Sequence, residues 1–247
     1  DRERDARIAL KTLQRLDAVA IARFKNEFRA LSDVVHPNLV QLYELVAFDD
    51  QLFFTMELID GVSFIDWVRP KLSEQDTESV TSGTPTEDTR SAVPKVATVK
   101  PKGKAAPGST RATPGAGDIA DLDLARLRRA MQQLALAVTA IHKAGLLHRD
   151  LKPDNVVLVS RDAAPVVKVL DYGLAKFLSA EDDPMAGSVL TATGMVMGTP
   201  LYMAPEQVAG KPVDTRADVY AAGCMLFEML TVRPPFCGDT HAEIYRA

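Results

Sequence analysis

Over 247 residues the chain has two cysteines and one tryptophan, and between Lys71 and Ala120 it has no aromatic residue at all. Two cysteines exclude a disulfide-stapled scaffold and fit a reducing, cytoplasmic setting. Cys224 lies in an apolar helical run and reads as a small core residue, whereas Cys237 sits in a loop beside Gly238. His36, His142 and His241 share no ligand spacing with those thiols, which argues against a zinc site. No apolar run approaches the ~20 residues a membrane-spanning helix requires. The longest candidate, Val219 to Met225, is too short and runs into Glu228. A net charge of -4 supplies no basic footprint for nucleic acid or an anionic membrane. There is also no initiator methionine or signal segment, so the N-terminus reads as a fragment boundary.

What is present suits a soluble enzyme, since a 47% hydrophobic chain of this length can bury a large core. The stretch from Lys71 to Ala120 is the exception, being dense in Ser, Thr, Pro, Ala, Gly and Lys. It reads as a disordered insertion, since such a composition cannot offset the entropy of ordering. Its basic residues Lys95, Lys100, Lys102, Lys104 and Arg111 could dock an acidic partner or belong to a solvated spacer.

The most informative stretch is HRDLKPDN, His148 to Asn155, which puts a carboxylate, an ammonium and an amide into one short loop. Phosphoryl transfer needs a carboxylate to orient the attacking hydroxyl, a cation to offset charge on the moving group, and oxygen ligands for Mg²⁺. Asp150, Lys152 and Asn155 supply those chemistries. Downstream, the apolar run Val166 to Leu170 reads as a buried strand that ends in Asp171-Tyr172-Gly173. A hairpin between Asn155 and Asp171 would bring two oxygen ligands to one point. A third segment, Gly198-Thr199-Pro200-Leu201-Tyr202-Met203-Ala204-Pro205-Glu206, follows a stretch of small and hydroxylated residues that reads as a mobile loop.

Together these motifs resemble the catalytic loop, DFG turn and activation-segment end of eukaryotic-type (Hanks-type) serine/threonine protein kinases. The resemblance implies ATP and Mg²⁺ as cofactors and a protein substrate. It makes Asp150 the catalytic base, places Lys152 at the γ-phosphate, and has Thr199 hydrogen-bond both. Asn155 and Asp171 would hold Mg²⁺. Tyr172 replaces the family's usual Phe, adding a hydroxyl that needs a partner. Asp218 would anchor the backbone at His148-Arg149. Glu206 would pair with an arginine late in the large lobe, so the chain's end at Ala247 is expected to leave a buried, unpaired carboxylate. A phosphate on Thr191 or Thr193 could dock on Arg149 and order the loop.

Reading backwards, Arg7 to Leu13 alternates as a strand with Ala9 and Lys11 on one face, resembling the kinase VAIK strand. Phe24, Phe28, Leu31 and Val35 form a helical stripe over Ala20 to Val35, and on that helix Glu27 would clamp Lys11. Leu39 to Ala47 and Gln51 to Leu58 read as strands joined at Asp49-Asp50. They lead to a hinge-like segment in which Met56 is the gatekeeper and the backbone of Glu57 and Ile59 meets adenine. Ser63 stands where many kinases contact ribose. Nucleotide binding thus falls to Ala9, Lys11, Glu27, Met56, Glu57, Ile59 and Val157. Leu122 to Lys143 reads as a long, fully buried helix ended by Gly145, and Asp218 opens a second buried helix.

The expected fold is α+β and two-lobed: a small antiparallel sheet with one helix, and a mainly helical large lobe, truncated at both ends. Residues 1–59 would form a partial small lobe, 60–70 the hinge and a short helix, 71–120 the insertion, and 121–247 a partial large lobe. No Gly-rich loop precedes Lys11, so the isolated chain is expected to be weakly active. The expected function is transfer of the ATP γ-phosphate to Ser/Thr hydroxyls of proteins. A pseudokinase or kinase-fold scaffold is the alternative, and a small-molecule phosphotransferase would lack Thr199 and the Ala204-Pro205-Glu206 segment. The residues specify no oligomeric state.

Overall fold

The computed structural model describes residues 7–13, 18–48, 51–70, 121–161, 164–172, 200–238 and 244. The insertion, the loop carrying Ser188, Thr191 and Thr193, the Asp49-Asp50 turn and Thr199 lie outside these residues.

The small lobe is an antiparallel sheet of β1 (Ile8–Leu13), β2 (Leu42–Phe48) and β3 (Gln51–Glu57), in the order β1-β3-β2. In that register Ala9 faces Met56 and Lys11 faces Phe54, so these four side chains share one face. Helix α1 (Ala18–Ser32) packs on that face through Phe24 and Phe28, whose ring centroids lie 6.0 and 5.7 Å from that of Phe54. Each such burial contributes on the order of 1.5–3 kcal/mol. The expected stripe does not continue to Val35, which is 80% exposed. Pro37 disfavours a helical His36, and the last turn closes early through Val34 N–H to Leu31 O at 3.1 Å.

The large lobe begins with the two-residue strand β4 (Val62–Ser63) and α2 (Phe64–Val68), which Ser63 caps by accepting the Asp66 N–H at 3.2 Å. Helix α3 (Leu124–Lys143) is capped by Asp123 and ends at Gly145, whose φ of 75° only glycine adopts without strain. The helix is not fully buried, as Leu136 is 58% exposed. Its core face is Leu127, Ala130, Leu134, Ala137, Val138 and Ile141. A hairpin of β5 (Val156–Arg161) and β6 (Ala164–Val169) pairs with β4 in the order β4-β5-β6. A short helix α4 (Pro205–Val208) precedes α5 (Thr215–Thr231). Asp218 lies within the first turn of α5 rather than at its start, and that helix too has an exposed side, with Val219 at 64%. In both helices the apolar residues outnumber those the 3.6-residue period can turn toward the described core.

Backbone approaches at two places bring the lobes together. Val40 N–H donates to Val169 O at 3.0 Å and Val169 N–H to Asn38 O at 2.9 Å, so the segment after α1 lies parallel to the end of β6. At the hinge, a Cβ on Gly61 would stand 2.5 Å from Leu158 O and 2.7 Å from a Val157 methyl, so only glycine fits against β5.

Candidate active site

The loop from His148 to Asn155 is fixed mostly through its backbone. Asp218, 1% exposed, accepts from His148 N–H at 2.9 Å and Arg149 N–H at 2.8 Å, and its Oδ2 lies 2.7 Å from His142 Nε2. Arg149 is held at φ 63°, a left-handed conformation costly for a side chain of that size. Beneath the loop the His148 ring is buried, with Nδ1 accepting from Asp150 N–H at 3.3 Å and Nε2 lying 3.0 Å from Leu170 O. Those two partners require the neutral tautomer with its proton on Nε2. Burial pushes the His148 pKa down against the opposing pull of Asp218, Asp150 and Asp171.

Asp150 Oδ2 lies 3.4 Å from Lys152 Nζ. Asn155 donates through Nδ2 to Asp150 O at 2.8 Å and Asp150 Oδ2 at 3.2 Å. Leu170 N–H donates to Asn155 O at 2.8 Å, tying the loop to the strand end that carries Asp171. Asp171 itself takes φ 48°, and its Oδ1 accepts from Lys11 Nζ at 2.7 Å. The chain therefore brings Lys11 of the small lobe to Asp171, and Asp150, Lys152 and Asn155 to one another, with Leu170 as the link.

Glu27 is not part of that constellation. Among the described residues no ion pair joins it to Lys11, whose partner is Asp171, so the expected clamp is not formed. In the hinge, Glu57 N–H is used by Gln41 O at 2.9 Å, while Ile59, past the strand end, donates no backbone hydrogen bond among the described residues. Val157 is half-buried against Gly61. Glu206 is half-buried rather than buried and forms no ion pair among the described residues, so the expected desolvation penalty is reduced. Its neighbour Gln207 donates from Nε2 to Arg149 O at 3.1 Å, which joins the Ala204-Pro205-Glu206 segment to the loop.

Several contacts escape a reading of motifs. Lys168, in the middle of an apolar strand, is buried and donates to Glu57 Oε2 at 2.8 Å and Leu39 O at 3.2 Å. The signal was available, because a lysine in a strand read as buried demands a carboxylate. Tyr172 OH finds its partner in Val40 O at 2.7 Å, across the lobe boundary, and burial raises its pKa well above the usual phenol range.

The profile described as "Protein kinase domain" matches residues 117–247, and the chain belongs to that family. Its similarity runs to serine/threonine kinases: it is 32% identical to serine/threonine-protein kinase Pkn1 of Myxococcus xanthus over 235 residues, 94% of this chain and 26% of that protein. To pkn3 of the same organism it is 32% identical over 241 residues, 96% of this chain and 35% of that protein. The chain thus spans about a quarter to a third of these curated relatives. A solved structure of the Mycobacterium tuberculosis PknI kinase domain, a double mutant, aligns with a TM-score of 0.53 at 22% identity, covering 93% of this chain and 66% of that one. That likeness gives the two-lobed kinase fold.

Proposed function

We propose that the chain is the phosphotransfer core of a serine/threonine protein kinase, moving the γ-phosphoryl group of ATP to Ser/Thr hydroxyls of protein substrates. The observation that carries this reading is the link from the Lys11–Asp171 pair through Leu170 to the Asp150–Lys152–Asn155 group. Lys11 binds and orients nucleotide phosphates. Asp150 orients the substrate hydroxyl and accepts its proton, and Lys152 holds positive charge beside it.

The residues also fit Mg²⁺. Asn155 turns its NH2 toward Asp150, and its Oδ1 accepts no hydrogen bond among the described residues. That leaves an amide oxygen and the Asp171 carboxylate as hard donors. Among the described residues no three His, Cys, Asp or Glu side chains form a cage, which suits an ion that takes one or two protein oxygens and completes its shell with phosphates. Bound there, Mg²⁺ would neutralise charge on the phosphates. Ala9, Met56, Glu57, Ile59 and Val157 belong to the adenine side of this site in the same reading. Thr199 belongs to its substrate side, with residues 1–59 and 121–247 as the two lobes, 60–70 as the hinge, and a cytoplasmic setting.

The test is phosphate transfer to a Ser/Thr protein substrate by the whole protein, compared with its Asp150→Asn form. Loss of a base costs about 10²–10⁴-fold in rate, and nucleotide binding should be kept. Equal transfer by both forms would refute the assignment. Nucleotide binding without any transfer by the unmodified protein would favour a pseudokinase.

A further inference from the structure

Strand β6 delivers Asp171, yet among the described residues only one of its edges meets a strand. Lys168 and Val166 face β5, opposite Val157 and Val159, so the peptide groups of residues 165, 167 and 169 face the other way. That outer edge is completed by pieces of two lobes. Gln133 of α3 accepts the Val167 N–H on Oε1 at 2.9 Å and donates from Nε2 to Pro165 O at 3.0 Å. Straddling Val166 in this way, its side-chain amide makes the two bonds that one residue of a parallel strand would make. Asn38 continues the edge: its Nδ2 donates to Val167 O at 2.9 Å, and its own carbonyl takes the Val169 N–H. The two pieces are bonded to each other, Asn38 Nδ2 to Gln133 Oε1 at 2.7 Å. Asn38 is 5% exposed, so water cannot readily replace these bonds.

We propose that Gln133 is a positioning residue for Asp171. Its amide, with Asn38, acts as a substitute strand that sets the height of β6 against both lobes, and so fixes where the Asp171 carboxylate stands for an Mg²⁺–nucleotide. The inference deepens the phosphotransfer reading and rests on it for the task of Asp171.

The full chain is tested as Gln133→Met, which keeps side-chain length and removes all three bonds, and as Gln133→Glu, which keeps the acceptor and loses the donor to Pro165. One readout is the Mg²⁺ concentration needed for half-maximal binding of fluorescent ADP. It should rise about tenfold in Gln133→Met, corresponding to roughly one hydrogen bond's net free energy, and by less in Gln133→Glu, with binding in EDTA unchanged. The second readout needs no nucleotide: hydrogen exchange at the Leu170 amide should quicken about tenfold in Gln133→Met. An Mg²⁺ midpoint within twofold of the parent, whatever the melting temperature, overturns the proposal, and so does unchanged exchange at Leu170. If the parent chain binds no Mg²⁺–ADP, the phosphotransfer reading fails and the exchange result alone decides the positioning role. Should Gln133→Met not fold, Gln133→Glu and Asn38→Asp, which withdraws the donor from the other side, are judged by the same limits.

Discussion

Removing Asp218 should loosen the loop from His148 to Asn155, whose first two amides it holds. The buried carboxylate meets three nitrogen atoms, the His148 and Arg149 amides and His142 Nε2, at 2.7–2.9 Å. In Asp218→Ala both amides lose their acceptor in a site that excludes water, at a combined cost of about 3–5 kcal/mol. In Asp218→Asn one oxygen remains. Placed at the Oδ2 position it still serves His148 and His142, but the new NH2 then opposes the Arg149 N–H, so the expected loss is about 1.5–3 kcal/mol. Arg149 would also be free to leave its left-handed conformation, recovering ~1–2 kcal/mol and carrying Asp150 away from its place. Urea denaturation at constant m-value measures both losses, and hydrogen exchange at residues 148–150 measures the loosening. A loss below about 1 kcal/mol in Asp218→Ala, or equal losses in the two variants, would show that other contacts hold the loop.

Lys168→Met should lose about 3–5 kcal/mol by removing the ammonium that pairs with Glu57 Oε2 at 2.8 Å in a largely buried site, and adding Glu57→Met should restore at least half of it. A double-mutant cycle by denaturation checks the pair, and additive losses would dismiss it. The neutral His148 gives a pH signature: its folded pKa is held below the ordinary 6.5, chiefly by burial, so the unfolded chain binds the proton first. Stability is therefore full above pH 6.5 and falls as pH drops below it, by up to about 1.4 kcal/mol per pH unit until the folded-state pKa is reached. Urea midpoints between pH 7.5 and 5.5 should slope less in His148→Phe. An unchanged slope would assign the acid sensitivity elsewhere.

The pieces legible in the sequence are those whose signal is local. Gly145 announces a helix end, and the run before Asp171 a strand returning from Asn155, because left-handed turns and short hairpins are decided by near neighbours, whereas Ser63, read only as a ribose contact, proves to be a helix cap. Local patterns also misled. The apolar period runs on through Val35 although Pro37 has already turned the chain, and Leu136 keeps helical company on a face that finds no core. The partner of Lys11 was not legible, since proximity to Glu27 or to Asp171 depends on how α1 sits against β6. Gln133 is hidden for a similar reason. It lies 95 residues from Asn38, and a glutamine amid helix residues gives no hint that its amide will stand in for a strand.

The bare Cα at residue 61 sets a boundary on how this chain can change. With a carbonyl of β5 where a side chain would begin, even alanine would lever the connector off the large lobe and drag α2 with it. Substitutions on either side can alter side-chain contacts, but at this point the connector rests on β5 through main chain, where no side chain can be added without moving it. Variants or insertions introduced there should act as a change of aperture rather than as a change of chemistry.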